Sequence, residues 1–219
     1  MVQISTRQSH LRLPLTRLLA SAGHVRVLRA LMTHGAPLSV AQLAADSGLT
    51  TRGARFVLDS LVSQGVVRVL GQPRSQLYTV ATRHPLAAAL KALFEEERAR
   101  WTALQDDLRD GLAAQEAIGA AWLYGSVARG EDEPGSDVDI VLVLNDGTLD
   151  AAQRVRDELQ ALGDRRNLHF STVVLTPAEL ARLRQDDPWW SNVTQDAKVL
   201  KGGSPAQEAA RHARPAEAA

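Results

Sequence analysis

The stretch "LYGSVARGEDEPGSDVDIVLVL", residues 123–144, decides the fold of the C-terminal half of the chain. An apolar strand ends at Tyr124, Gly125-Ser126 follows, and Asp137-Val138-Asp139 leads a second apolar strand. Glycine lets a phosphate approach the backbone closely, and serine adds a hydroxyl donor beside a helix N-terminus. Two carboxylates that lie two residues apart on a strand share one face, and Mg²⁺ combines carboxylates with substrate phosphates. The stretch therefore predicts a site for Mg²⁺ and the phosphates of a nucleotide.

Other interpretations fit this stretch less well. The spacing of Gly125 and Gly130 is that of a P-loop, but Glu131-Asp132 stand where a P-loop has Lys-Ser/Thr. Ser126 is not in a G-x-S-x-G sequence, so it is a poor candidate for a hydrolase nucleophile. A lone D-x-D would favour two capping acids in a turn. The order of strand, Gly-Ser, arginine and strand favours the nucleotide site instead.

This order of residues resembles the G-S-x(10)-D-x-D pattern of the DNA polymerase β-like nucleotidyltransferase superfamily, above all its minimal prokaryotic members. The residues that match are Gly125, Ser126, Ala128, Arg129, Gly130, Ser136, Asp137 and Asp139. The resemblance implies a nucleotide-binding set made of Gly125, Ser126, Arg129 and Ser136. It implies that Asp137 and Asp139 form the catalytic and metal-binding pair. The cofactors it implies are Mg²⁺ and a nucleoside triphosphate, with ATP expected.

The sequence departs from this superfamily at one position. Active members place a third carboxylate on the next central strand, where it commonly serves as the base that activates the acceptor hydroxyl. Here the strand predicted over Leu168–Thr176 presents His169, Ser171 and Val173 on the facing side, and Ser171 best fits the position. The sequence therefore leaves enzyme activity open, although it predicts nucleotide binding.

The N-terminal segment predicts three short helices and a hairpin, which together make a winged helix-turn-helix. Ser39 and Gln42 form a capping box that opens one helix, and Thr50 or Thr51 caps the next. Strands over 66–70 and 77–80 flank a turn-rich segment. The sequence "PLSVAQLAADSGLTTRGARFVLDSLVSQGVVRVL" resembles the winged-helix repressors of the arsenic- and multidrug-responsive types, and the resemblance extends over residues 14–82.

The charge of the chain is uneven although its net charge is zero. Residues 1–82 hold nine arginines, no lysine and two acids, a charge of +7 that the remaining residues balance. Such asymmetry favours a polyanionic partner for the N-terminal half, although a basic surface without a partner is also consistent with it. In helix-turn-helix folds the second helix of the pair enters the major groove by its N-terminal residues. The residues predicted to contact double-stranded DNA are Thr50, Thr51, Arg52, Arg55, Arg68 and Arg74.

The predicted fold class is α+β. It comprises an N-terminal winged helix-turn-helix domain over 1–82, a long linker helix over 83–114, and a C-terminal nucleotidyltransferase-type α/β domain with a small mixed sheet over 115–202. A tail over 203–219, rich in Ala, Gly, Pro, Arg and Glu, is predicted to be disordered. The linker helix carries a heptad-like stripe that favours a homodimer, with packing onto its own domains as the alternative. The stripe consists of Leu90, Phe94, Trp101, Leu104 and Leu108.

Several classes of protein are excluded or disfavoured. The sequence has no cysteine, which excludes disulfides, thiolate zinc sites and cysteine nucleophiles. No run approaches the roughly 18 apolar residues of a membrane span. Arg7, Arg12 and Arg17 interrupt any apolar stretch of signal-peptide type, so we expect a cytoplasmic protein without a membrane partner.

Two functional hypotheses remain. In the first, the protein is a DNA-binding transcriptional regulator whose second domain binds a nucleotide with Mg²⁺, as an effector site or as a weakened enzyme. In the second, the domain is an active nucleotidyltransferase. It would move a nucleoside monophosphate from a triphosphate to a protein, as antitoxin-like members do, or to a small hydroxyl compound, and release pyrophosphate.

Overall fold

The structure, a computed structural model, describes residues 9–145 and 149–213. The chain divides into an N-terminal unit that ends at Trp101 and a C-terminal unit that begins at Thr102. The elements of the N-terminal unit are α1 (Leu15–Leu18), α2 (Ala22–His34), β1 (Leu38–Ser39), α3 (Val40–Ser47), α4 (Thr51–Ser63), β2 (Val67–Leu70) and β3 (Leu77–Val80). Helix α5 (Ala87–Ala113) contains the point of division.

The N-terminal unit is a winged helix-turn-helix, as predicted. The Ser39–Gln42 capping box opens α3, and the Thr50 hydroxyl caps α4 by accepting a hydrogen bond from the amide of Gly53. The predicted hairpin is present as β2 and β3, and β1 adds a third strand in the order β1-β3-β2. The sequence analysis missed β1, because two residues are too short to show an alternating pattern.

The core of the N-terminal unit is made of leucines from several helices. Leu28, Leu43 and Leu58 are fully buried, and they lie on α2, α3 and α4 respectively. The first part of α5 joins this core through Leu90 and Phe94. The segment before residue 102 of α5 is therefore an integral part of the N-terminal unit.

A buried histidine is expected to make the stability of this unit depend on pH. His24 is 6% exposed, and its ring nitrogens lie 2.9 Å from the Ser21 hydroxyl and 3.2 Å from the Ser60 hydroxyl. Burial lowers the pKa of this imidazole below its ordinary value of about 6.5. The unfolded chain therefore takes up a proton at a higher pH than the folded chain does. We expect the free energy of unfolding to fall as the pH drops below about 6.5, until the lower pKa of the folded state is passed.

Urea unfolding at pH 7.5 and at pH 5.5 checks this expectation, with His24→Gln as the comparison. Glutamine keeps a hydrogen-bonding side chain but does not titrate. The wild type should lose more stability between the two pH values than the variant, whose other titrating groups are unchanged. Equal losses would show that His24 does not contribute to the pH dependence.

The C-terminal unit is built on a four-stranded mixed sheet. Its elements after α5 are β4 (Ile118–Tyr124), α6 (Gly125–Arg129), β5 (Val138–Leu144), α7 (Leu149–Arg166), β6 (Phe170–Leu175), α8 (Pro177–Arg182), α9 (Pro188–Asp196), β7 (Lys198–Lys201) and α10 (Pro205–Ala213). The strand order is β6-β5-β4-β7; β5 and β6 are parallel, and the other two pairs are antiparallel. The predicted α/β domain with a small mixed sheet is confirmed.

The two faces of this sheet are covered by different helices. One face packs against α7 and the end of α5, which contributes Leu104, Leu108 and Leu112. The other face packs against α8 and α9 around the fully buried Trp122. Since strand residues alternate between faces, Asp139 belongs to the same face as the buried Val141.

The heptad-like stripe on α5 packs mostly against other residues of the same chain. Of its five residues, Leu90, Phe94, Leu104 and Leu108 are buried in the cores of their own units, and Trp101 is 40% exposed. The packing alternative of the sequence analysis therefore accounts for the stripe. A homodimer through this helix remains a prediction, and the packing of the stripe within the chain does not support it.

The last part of the chain contains a strand and a helix that the sequence analysis did not predict. Helix α9 ends at Asp196, and Lys198–Lys201 forms β7 along β4. Within the tail expected to be disordered, Pro205–Ala213 forms α10, with Pro205 and Glu208 buried. The carboxylate of Glu208 accepts a hydrogen bond of 2.7 Å from the Gly203 amide, which fixes the entry into the helix. Composition alone did not reveal these contacts; residues 214–219 lie outside the described residues.

Every helix within the described ranges is too short or too polar to cross a lipid bilayer.

Candidate functional site

Three residues form a row across the sheet where the predicted site begins. Tyr124, at the end of β4, pairs with Asp139 at the start of β5. Asp139 in turn pairs with Ser171 at the start of β6. Gly125 directly follows Tyr124, so the Gly125-Ser126 turn leaves β4 at the same end of the sheet as the row. The structure therefore brings the glycine-serine turn and the D-x-D segment together, as the sequence predicted.

Gly125 contacts Asp139 so closely that no side chain fits between them. Its backbone has φ = +76°, which favours glycine, and a Cβ atom there would lie 2.6 Å from Oδ2 of Asp139. Helix α6 begins at this residue, and in the described part of the chain no side chain caps its N-terminus. Glycine thus keeps open the space between the turn and the carboxylate.

Asp139 is the electrostatic centre of the row. Burial raises the pKa of its carboxyl group above the usual value, the Ser171 hydroxyl lowers it by donating a hydrogen bond, and the charge of Asp137 raises it. Asp139 is half-buried and Asp137 is exposed, directly before β5. Two neighbouring carboxylates that repel each other would gain from a bound cation.

Ser171 is the residue that the sequence analysis placed at the position of the third carboxylate. It lies opposite Asp139 on β6, which is an edge strand of the sheet. His169 precedes β6 and is exposed, and its carbonyl accepts the amide hydrogen of Val138. The row therefore contains one carboxylate for a cation, that of Asp139, and a hydroxyl beside it on β6.

Two residues predicted to bind nucleotide have other partners in the structure. The guanidinium of Arg129 forms ion pairs with Glu131, at 2.7 Å, and with Asp196. It thereby links α6 to the end of α9, and a contact with phosphate would require it to leave these carboxylates. The Ser136 hydroxyl accepts a hydrogen bond of 2.9 Å from the Glu133 amide, which closes the loop before Asp137. Both residues help to hold the segments that carry the site.

Aromatic residues support the site from α9, and the sequence analysis did not connect them. The indole N–H of Trp189 donates a hydrogen bond to the hydroxyl of Tyr124 over 3.3 Å, and the two rings meet edge to face. Burial raises the pKa of Tyr124, so this phenol stays neutral. Trp122 is fully buried, as expected for a tryptophan on a strand, and Trp190 packs on it. Only the spatial packing of α9 reveals the contact with Tyr124.

The predicted DNA-contacting residues lie on α4 and on the hairpin. Thr51, Arg52 and Arg55 are exposed in the first turns of α4. Thr50 is also exposed, but its hydroxyl is occupied as the N-cap. Arg68 is exposed on β2, and Arg74 is exposed in the turn between β2 and β3. Within residues 9–145 and 149–213, none of these four arginines forms an ion pair, so their charges are available.

Comparison with protein families identifies both units. Residues 25–78 match the family model "IclR helix-turn-helix domain", and residues 106–185 match "Polymerase beta, Nucleotidyltransferase". The chain carries a domain of each kind. The helix-turn-helix match contains most of α2 and all of α3 and α4. The nucleotidyltransferase match contains the glycine-serine turn and the row Tyr124–Asp139–Ser171.

Similarity of the two domains to individual known proteins is weak. A mutant of the MntA–HpeT toxin–antitoxin is 16% identical, with a TM-score of 0.37, and the match covers 50% of this chain and 83% of that one. A MarR family transcriptional regulator from Silicibacter pomeroyi is 21% identical, with a TM-score of 0.32 and coverage of 42% and 62%. A homodimeric winged helix-turn-helix DNA-binding domain from Mycobacterium bovis is 19% identical, with a TM-score of 0.30 and coverage of 48% and 92%. A comparison with curated protein sequences gives no significant match.

The residues of the nucleotidyltransferase domain fit Mg²⁺ and a triphosphate by their chemistry. Asp137 and Asp139 supply carboxylate oxygens, and Gly125 leaves space beside Asp139 that a Cβ atom would fill. No group of three or more His, Asp or Glu side chains within the described ranges is arranged to hold a metal ion. Mg²⁺ suits such a site, because it commonly binds one or two carboxylates and completes its shell with water and substrate phosphates.

Proposed function

We propose that the protein is a DNA-binding transcriptional regulator whose nucleotidyltransferase domain binds a nucleoside triphosphate with Mg²⁺ as a signal. The observation that carries the proposal is the row Tyr124–Asp139–Ser171. It keeps the carboxylate that a nucleotide-bound cation needs and has a serine where superfamily members have the base. A neutral serine hydroxyl is a poor proton acceptor at neutral pH, so it does not replace a carboxylate as a general base.

Each residue of the site has a role in binding. Asp137 and Asp139 would hold the cation, and Gly125 and Ser126 would face the phosphates. When bound, Mg²⁺ would neutralise negative charge on the triphosphate. Ser171 donates its hydrogen bond to Asp139, which keeps that carboxylate oriented. We expect ATP to be the nucleotide.

Helix α5 is the part of the chain through which the two domains can influence each other. Leu90 and Phe94 belong to the core of the N-terminal unit, and Leu104 and Leu108 to that of the C-terminal unit. A nucleotide changes DNA affinity only if it binds one state of the protein more tightly than another. Since a single helix contributes side chains to both cores, it is the segment of the chain through which such a difference between states would be transmitted.

Titration calorimetry followed by gel shifts tests the proposal. Calorimetry with ATP, GTP, CTP and UTP, each with and without Mg²⁺, should show Mg²⁺-dependent binding of at least one nucleotide. That nucleotide should then change the affinity for a DNA duplex selected by the protein by about fivefold or more, the lower end of typical couplings. Unchanged DNA affinity with every nucleotide would rule out the regulatory role.

A second candidate, an active nucleotidyltransferase, is favoured by the intact pairing of the Gly125-Ser126 turn with Asp139. The acceptor would be a protein or a small hydroxyl compound. Incubation with labelled ATP, Mg²⁺ and cell extract should then label an acceptor with the wild type and not with the double variant Asp137→Asn, Asp139→Asn. Absence of labelling with both proteins would leave the regulator as the function of the domain.

A further inference from the structure

Helix α4 exposes one large apolar side chain that the fold does not use. Phe56 is 74% exposed, whereas the other apolar residues of this helix point into the core. The buried residues are Ala54, Val57, Leu58 and Leu61. An exposed aromatic ring on a helix whose inner face is complete contributes little to folding, and it leaves apolar surface in contact with water.

Phe56 shares the outer face of α4 with two arginines. Arg52, Arg55 and Phe56 are exposed at positions i, i+3 and i+4, so they lie side by side along the helix. All three are within the first six residues of α4, which begins at Thr51. This end of the helix therefore presents an apolar ring beside two groups that attract polyanions. Charge complementarity favours DNA over a neutral or basic protein surface as the occupant.

We propose that Phe56 contacts the 5-methyl group of a thymine in the major groove and so makes the protein prefer a T·A pair at one position of its binding site. The inference rests on the proposed DNA-binding function and adds a determinant of sequence preference to it. The thymine methyl is the apolar group among the major-groove edges of the four base pairs, and a phenyl ring is a suitable partner for it. Arg52 and Arg55 then hold α4 on phosphate or guanine, while Phe56 excludes water from the methyl group.

The test compares thymine with uracil, which lacks the methyl group but pairs in the same way. The full chain is first used to select duplexes from a randomised DNA library. Each thymine of the best duplex is then replaced in turn by uracil, and affinities are measured for the wild type and for Phe56→Ala. The wild type should lose about fourfold in affinity at one thymine of each site, the effect of burying one methyl-sized group. Phe56→Ala should be insensitive to the same replacement.

Two further variants keep the result interpretable. Leu93→Ala removes another exposed apolar side chain, 55% exposed on α5, and should keep the wild-type sensitivity to uracil. Phe56→Leu retains an apolar side chain and should retain part of that sensitivity. The proposal is overturned if the wild type and Phe56→Ala respond alike to every replacement. If the wild type selects no duplex, the DNA-binding function itself is wrong, and this is seen before any uracil is introduced.

Discussion

Replacing Gly125 with alanine is expected to weaken Mg²⁺-dependent nucleotide binding by about 10–100-fold, the effect of disturbing a residue that positions a metal ligand. The added methyl group would lie 2.6 Å from Oδ2 of Asp139, which is too close for van der Waals contact. The carboxylate must therefore move away from the turn. Alanine also has to adopt φ = +76°, which costs about 1–2 kcal/mol. Calorimetry with ATP and Mg²⁺ measures the affinity, and thermal unfolding measures the stability.

Gly130 offers a matched control for this substitution. Its φ is +71°, nearly that of Gly125, but no described atom lies within 4 Å of the Cβ position. Gly130→Ala therefore carries the same backbone cost without displacing a carboxylate. It should lower stability to a similar extent and keep nucleotide affinity within about twofold. If both variants lost nucleotide binding equally, strain in the α6 segment would be the cause, and the contact between Gly125 and Asp139 would not.

Replacing Asp139 with asparagine is expected to remove nucleotide binding and to stabilise the protein at the same time. Asparagine has the shape of aspartate but no charge, so it cannot provide the anionic oxygen that Mg²⁺ needs, and affinity should fall by about 100-fold or more. Burial and the charge of Asp137 both raise the pKa of Asp139, which means that its ionised form is less favourable in the folded state than in the unfolded one. Without a cation, removal of that charge should raise the melting temperature at neutral pH.

Asp132 is the control for the effect of charge alone. It lies exposed in the loop before Asp137, so Asp132→Asn removes one negative charge without touching the row. Both the nucleotide affinity and the melting temperature of this variant should stay near those of the wild type. A melting temperature of Asp139→Asn equal to or below the wild-type value would contradict the electrostatic strain that we assign to the carboxylate pair.

The features that could be predicted from the sequence are those encoded by neighbouring residues. The capping box at Ser39 depends on residues three positions apart, and it is present. The position of Ser171 on the same face of β6 as Val173 follows from the alternation of a strand, once the strand itself is recognised. Local sequence patterns were sufficient to predict both features.

The features that could not be predicted depend on contacts between distant residues. The hydrogen bond of Trp189 to Tyr124 spans 65 residues, and the ion pair of Arg129 with Asp196 spans 67. Neither partner has a pattern around it that identifies the other, so Arg129 was assigned to phosphate on resemblance alone. Helix α10 was missed for a related reason: its polar composition suggested a solvated tail, whereas Glu208 is 2% exposed and hydrogen-bonded to the backbone.

The continuity of α5 limits how this protein can be cut into pieces. A fragment that stopped at residue 82 would lack Leu90 and Phe94, and one that began at residue 115 would lack Leu104 and Leu108. Truncating a buried leucine or phenylalanine to alanine costs about 2–5 kcal/mol, which is comparable with the entire stability of many small domains. Isolated halves divided at those places would therefore be expected to misfold or aggregate. Fragments intended for separate study should each retain the part of α5 that packs in their own core, even if the two fragments then overlap in sequence.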